Sequence, residues 1–533
     1  MERRDFLKLS MGGLATIVVG SRLPWLRAGW AFAAETQTLT ITITDMIKGM
    51  VTHQDPALFA ELGLSGAPNL AECYFWTYQI SVGGTAIPVE NPGPTIVAAK
   101  GDTIDLTITN ALDEPHAFFI PGIYDSGPIA PGATVAGSFQ ANQLGAFLYY
   151  DNLNAPVNRV MGLHGALVVM PDPASPPGGG NNFTPYDNPT EAVQRLYDDF
   201  GSAEHFPGLA WHEGDDRDWI WDPARGGDPD NPGYREATAA EVLAGRTVKN
   251  CPPFRTYVWI THQASPNLFE KVGSLPAGQL YDPAEFMQRF LRSPFSHNRQ
   301  NDNPEFFTIN GQSGFFGHFS PTITPQGRIG EPVVVHILNA GLWTHAMHLH
   351  ANHFYVTSKN GVVQENPLWL DTFNIEPMDR VDYSIPFMRP PSIPNLRGIG
   401  LPDEGRRRRR RGQPEDPAAP PVWPPIEEFT LYFPEPGQDV AERIDGTSID
   451  LKQRQSPLCY PMHDHSEPSQ TAQGGNYNCG LISGIYFTGD RNTPGFMDFP
   501  MDEDFEMMYR NIRGMSETGP APGIEPDMTG HTV

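Results

Sequence analysis

Pro92-Gly93-Pro94-Thr95-Ile96-Val97, Lys100-Gly101-Asp102 and Thr103-Ile104-Asp105-Leu106-Thr107-Ile108-Thr109-Asn110 follow one another closely in the chain. They read as turn, strand, turn and strand, because β-branched residues alternate with polar ones between Gly and Pro punctuation. Upstream, Thr38-Leu39-Thr40-Ile41-Thr42-Ile43 alternates in the same way. Gly145-Ala146-Phe147-Leu148-Tyr149-Tyr150 and Gly162-Leu163-His164-Gly165-Ala166-Leu167-Val168-Val169 close the segment. Residues 35–171 thus make one domain. Further on, Gly330-Glu331-Pro332-Val333 echoes Gly101-Asp102-Thr103-Ile104, each a turn opening a strand that ends in Asn339 or Asn110. The echo predicts a second copy of the same domain over residues 255–490. With 53 Gly and 54 Pro in 533 residues, the chain is too rich in breakers for a helical protein, and an all-β sandwich class follows.

Between the two copies, residues 172–254 read as a loop-rich insertion with a short helix at 238–246. Residues 389–426 form an Arg/Pro-rich interruption of the second copy. It contains Arg406 to Arg411, a like-charge run of the kind that stays solvated. A polar, Met-rich tail runs from 491 to 533. The first 34 residues read as a twin-arginine leader: Arg3-Arg4-Asp5-Phe6-Leu7-Lys8, an apolar run from Met11 to Gly20 too short to span a bilayer, and Ala31-Phe32-Ala33 at a cleavage site. The reading places the mature protein in the periplasm or outside the cell, with no membrane span after cleavage. The formal net charge is −26, or −29 once the leader's net +3 is removed, which argues against nucleic acid and anionic membranes as partners. An oxidising compartment makes disulfides the expected state of the four cysteines, with Cys459 paired to Cys479 and Cys73 left to Cys251.

Chemistry concentrates in Thr344-His345-Ala346-Met347-His348-Leu349-His350-Ala351-Asn352-His353-Phe354. In a strand, residues two apart share a face, so His348 and His350 point one way and His345 the other. Met462-His463-Asp464-His465 repeats the same-face pair. Imidazole is the commonest metal ligand, and several together suit copper or zinc far better than magnesium or calcium.

Pro-Gly-Pro-Thr-Ile (92–96), Gly-Asp-Thr (101–103), Gly-Ala-Leu-Val-Val (165–169), His-Ala-Met-His-Leu-His (345–350) and His-Asp-His (463–465) together resemble the multicopper oxidases. The resemblance covers residues 35–171 and 255–490. It implies two cupredoxin-like Greek-key β-sandwich domains with long loop insertions, copper, and a homotrimer of the two-domain type with metal between subunits. It assigns His345 to a blue copper, and His348, His350, His463 and His465 to a three-copper cluster. The family's His-Cys-His, however, reads His463-Asp464-His465, and Ser469 and Gln470 stand where a further ligand belongs. In the first domain the family's two His-x-His pairs fall on Phe119 and Pro121, after His116, and on Tyr150 and Asn152. Half of the cluster ligands are absent, and a neighbouring copy of the same chain cannot supply them.

These departures predict an exported oxidoreductase with a reduced, mononuclear site rather than a conventional blue laccase. Its metal residues are His345, His348, His350, His463 and His465, holding one or two copper ions per chain, with zinc as the alternative metal. Asp464 either acts in the emptied blue-copper pocket or hydrogen-bonds there, and His116, Tyr150 and His164 are either extra ligands or packing. The competing expectation is a non-catalytic metal-binding or structural protein on the same scaffold. A small-molecule substrate or a metal ion is the expected partner.

Overall fold

The structure, a computed structural model, describes residues 16–19, 36–51, 70–82, 85–86, 89–170, 184–200, 219–221, 234–236, 255–292, 302–314, 317, 323–328, 333–350, 352–385, 440–442, 448–450, 458–472 and 479–489. The expected 238–246 helix, the 389–426 interruption with its arginine run, and the tail lie outside them.

Alternation in the sequence becomes a one-sided strand at Thr103–Asn110, where Ile104, Leu106, Ile108 and Asn110 are buried and their neighbours half-buried. That strand pairs parallel with Thr36–Val51 and antiparallel with Thr134–Gln140, forming one layer of the first sandwich. The facing layer runs Thr95–Ala99, His164–Met170, Gly145–Tyr150 and Phe119–Ile120. Four residues of the expected leader, Thr16–Val19, lie as a parallel edge strand against Thr95–Ala99. Cleavage after residue 34 would remove that edge and leave the pairing of Thr95–Ala99 to His164–Met170 in place.

The second domain repeats this wiring. Arg255–Ala264 runs parallel to Val333–Asn339, which is antiparallel to Arg380–Ile385. In the other layer Ile482–Gly489 pairs parallel with Gln326–Arg328 and antiparallel with Leu458–Asp464, which in turn pairs with His345–Leu349. The fold is all-β, two cupredoxin-like sandwiches with long insertions. Helices Pro266–Gly273 and Pro283–Phe290, each opened by a Ser or Asp cap followed by Pro, lie between the strands Arg255–Ala264 and Phe306–Ile309.

His164–Met170 and Val333–Asn339 are buried along their whole length because both of their faces are covered. One face fills its own sandwich. The other joins Ala146, Leu148, Ala166 and Val168 to Val258, Ile260, Val334 and Leu338 in a cluster between the domains. Val193 and Leu196 of the helix Glu191–Phe200, inside the expected insertion, add to it. Burying each of the Val, Leu and Ile side chains contributes about 1.5–3 kcal/mol, so the two domains pack as one body. Two of the sequence's glycines owe their place to a tyrosine. The Tyr149 hydroxyl donates to the Pro94 carbonyl at 2.6 Å, and a Cβ on Gly93 or Gly165 would come within 2.6 or 2.2 Å of that oxygen.

Neither expected disulfide fits. Cys459 stands opposite Tyr486 and His463 opposite Ile482. Cys479 precedes Ile482, so Cys459 lies about 13 Å along the ladder on the far side of His463, whereas a disulfide needs Cα atoms within about 7 Å. Cys73 is a buried thiol whose Sγ donates to the Tyr74 carbonyl at 3.8 Å, so the Cys73–Cys251 bridge is not formed either; Cys251 lies outside the described residues.

Candidate metal centre

The strand His345–Leu349 buries His345, Met347 and Leu349 and turns Ala346 and His348 outward, with His350 exposed just beyond its end. On the neighbouring strand Asp464 is buried while His463 and His465 face out. The register sets His348 directly opposite His463. Two same-face pairs on adjacent strands therefore meet in one place, as the spacing predicts.

The geometry is close. Ring centroids of His348 lie 5.0 Å from His350, 5.3 Å from His463 and 4.8 Å from His465. His463 lies 4.8 Å from His350 and 4.9 Å from His465. The ligating nitrogens of His348, His463 and His465 are all within 4.8 Å of one another, the one such group among the described residues. His348 Nδ1 is 3.1 Å from the Asp371 carbonyl and 2.8 Å from the Thr372 hydroxyl, so its N–H donates there and Nε2 keeps its lone pair. His463 Nδ1–H donates to the Asp464 carbonyl at 3.3 Å, which fixes the same tautomer. Its Nε2 meets His350 Nε2 at 2.7 Å. Two bare lone pairs would repel at that distance, so His350 Nε2–H donates until a cation takes the proton's place. Burial, followed by the neighbouring imidazoles His348 and His465, lowers the His350 pKa. Burial also brings His463 down to about 4 against the opposing pull of the Asp464 carbonyl, with the three other imidazoles adding to the drop. Neutral rings with inward lone pairs are what a soft or borderline metal requires. One ion fits this donor set.

His345 belongs to a different site. Its Nδ1–H donates to Asp464 Oδ2 at 2.6 Å, and both side chains are fully buried. Gln263 Nε2–H donates to His345 Nε2 at 2.6 Å, its orientation fixed because Leu342 N–H donates to Gln263 Oε1 at 2.8 Å. Asp464 Oδ1 accepts from Ala346 N at 2.7 Å and Ser466 N at 3.0 Å. Both nitrogens of His345 are taken by protein, and the strand offers a carboxylate rather than a thiolate. The donor set at this position does not fit a blue copper. The sequence missed Gln263 altogether: nothing in Thr261-His262-Gln263 separates it from any other buried strand residue.

The other three candidates stand apart from the four imidazoles. His116 Nδ1 meets Asp151 Oδ2 at 2.7 Å, with Asn158 Nδ2 donating to the same oxygen at 2.9 Å. Tyr150 packs edge-on against Phe119, with ring centroids 5.4 Å apart. His164 lies between the domains, 4.5 Å from the ring of His262, and its Nδ1–H donates to the Arg159 carbonyl at 2.9 Å. Burial, offset by that carbonyl and reinforced by the Arg159 charge, brings His164 down to about 4. Ser469, at the position of an expected ligand, is buried, and its hydroxyl accepts from Leu481 N at 2.9 Å.

Residues 82–174 and 291–388 each match a family model described as multicopper oxidase. No curated protein matches the chain. Among solved structures it is similar to a blue copper oxidase from Nitrosomonas europaea, at 14% identity over 88% of this chain and 93% of that one, TM-score 0.43. It is also similar to the multicopper oxidase mgLAC, at 16% identity over 89% and 93%, TM-score 0.42. A copper nitrite reductase from Nitrosomonas europaea aligns at 14% identity over 85% and 94%, TM-score 0.40. The chain thus carries two multicopper oxidase domains, and these indicate an oxidoreductase.

Proposed function

We propose that the chain is an exported oxidoreductase that uses one copper ion held by His348, His350, His463 and His465 and has no blue copper. The observation that carries this is the convergence of four imidazoles, with the His348 and His463 tautomers fixed by the Asp371 and Asp464 carbonyls, beside a carboxylate where a thiolate would be needed. His348, His463 and His465 hold the ion from adjacent strands, and His350 closes the set. His350 and His465 are exposed, so the centre opens to solvent and to a small substrate. Bound copper would supply one-electron chemistry at that opening. Asp371 and Thr372 hold the His348 ring, and the fully buried His345–Asp464 pair lies on the opposite face of the same two strands. Domain limits of 35–171 and 255–490, passage through twin-arginine export, and a homotrimer are part of this reading. No described helix is long and apolar enough to cross a membrane.

A second reading, a copper-binding protein without turnover, draws support from the Gln263–His345–Asp464 network, which occupies the position through which electrons would enter. Oxygen consumption by the copper-loaded protein with small phenolic and inorganic reductants separates the two. Turnover that disappears in His348→Ala/His463→Ala supports the enzyme. Tight copper binding with no turnover above that of the double variant supports the carrier.

A further inference from the structure

The two domains carry the same buried device. In the second, Asn339 at the end of its strand donates through Nδ2 to the Trp343 carbonyl, four residues on, at 2.8 Å. Its Oδ1 accepts from Gly341 N, two residues on, at 3.0 Å. In the first, Asn110 donates to the Glu114 carbonyl, also four on, at 2.7 Å, and accepts from Leu112 N, two on, at 3.0 Å. Six residues after each asparagine stands a fully buried histidine, His345 or His116. Each histidine presents Nδ1 to a fully buried aspartate, Asp464 at 2.6 Å or Asp151 at 2.7 Å. Each aspartate receives, on its other oxygen, the N–H of the residue two further on, Ser466 at 3.0 Å or Leu153 at 2.8 Å.

What the device presents on the outer face is also the same in shape. The residue before each aspartate pairs across the sheet with the residue three after each histidine: His463 with His348, Tyr150 with Phe119. The rings meet edge-on in both, at 5.3 Å and 79° for the imidazoles and at 5.4 Å and 89° for the aromatics. The first domain keeps the buried pair and the ring geometry without any imidazole on the outer face. The geometry therefore comes from the buried pair and the register, and it exists before any ion arrives.

We propose that His345 and Asp464 are positioning residues of the copper centre. They form a metal-free clamp that sets the rings of His463 and His348 from behind, as His116 and Asp151 set Tyr150 and Phe119. The proposal rests on the copper reading for its affinity consequence, but the ring geometry it explains is a property of the metal-free protein. Asp464 acts through three bonds and its own carbonyl: it ties His345 Nδ1 and Ala346 N of one strand to Ser466 N beyond the other, and holds His463 Nδ1. Changes to partners that orient metal-ligating histidines weaken metal binding by about 10–100-fold.

The test compares Asp464→Asn with Asp151→Asn, its counterpart in the domain without imidazoles. Two quantities are read: copper affinity by chelator competition, and the ring tautomers of His348 and His463 by nitrogen-15 NMR of the metal-free protein. Asp464→Asn is expected to weaken copper by roughly 10–100-fold and to mix the His463 tautomers. Asp151→Asn is expected to change neither while lowering the melting temperature as Asp464→Asn does. Unchanged affinity and tautomers in Asp464→Asn would overturn the proposal, as would equal loss of copper in Asp151→Asn. If the wild type binds no copper, the functional reading fails, and the tautomer comparison alone still decides the clamp.

Discussion

Lowering the pH from 7 to 4.5 should destabilise this protein through His164, a neutral imidazole sealed between the domains. Its pKa falls from 6.5 to about 4 on folding, chiefly through burial. Between those values the unfolded chain binds a proton that the folded chain refuses. Stability therefore falls as pH drops below about 6.5 and levels off near pH 4, where both states are protonated. Folded against unfolded, the difference amounts to about 2–3 kcal/mol at pH 4.5. His262 acts in the same direction: burial first, then the neighbouring His164, holds it well below the usual range, while its Nε2–H donates to the Val160 carbonyl at 2.8 Å. The assay is urea unfolding at pH 7.5, 6.5, 5.5 and 4.5 for the wild type and His164→Asn, whose amide can replace the Nδ1 donor but cannot titrate. The wild type should lose about 2–3 kcal/mol more than the variant across that range. Parallel pH profiles for the two proteins would mean that burial does not hold His164 neutral in the folded state.

Gly165→Ala should cost about 1–3 kcal/mol, since the new Cβ would sit 2.2 Å from Tyr149 Oη in a packed core; a melting temperature equal to wild type would contradict the packing described. Arg159→Met removes the buried guanidinium that donates across the domain boundary to the Ala340 and Gly341 carbonyls, and each orphaned carbonyl should cost about 1–3 kcal/mol, visible as separation of one unfolding transition into two. Deleting residues 404–414 should shift stability by no more than roughly 0.5 kcal/mol, which calorimetry would check. Peptide mapping without reduction should yield no Cys459–Cys479 linkage, and recovery of that linked peptide would show that the strand register is wrong.

Much of this was legible in the sequence because strand periodicity fixes which residues share a face. The spacings 348/350 and 463/465 put four imidazoles on one face and turn His345 and Asp464 to the other, whereas the expectation that His345 also serves the metal meets a ring whose two nitrogens are taken by protein. The echo of Gly101-Asp102 in Gly330-Glu331 likewise announced the duplicated wiring. What stayed hidden depends on pairing across long separations. Gln263 reaches His345 over 82 residues, and Asp151 reaches His116 over 35. The second of these does carry a sequence signal: Asp151 follows Tyr150 as Asp464 follows His463, and His116 and His345 each lie six residues after an asparagine. The disulfide expectation failed for the same reason, because bracketing a loop in sequence says nothing about which end of a strand pair each cysteine occupies.

The most direct test of the copper reading is a copper titration of the purified, metal-stripped protein, followed by its absorption spectrum. About one tightly held ion per chain is expected, a number set by four imidazoles sharing one coordination sphere, with no intense blue band even at saturation. Three or four tightly held ions, or a blue spectrum, would contradict it.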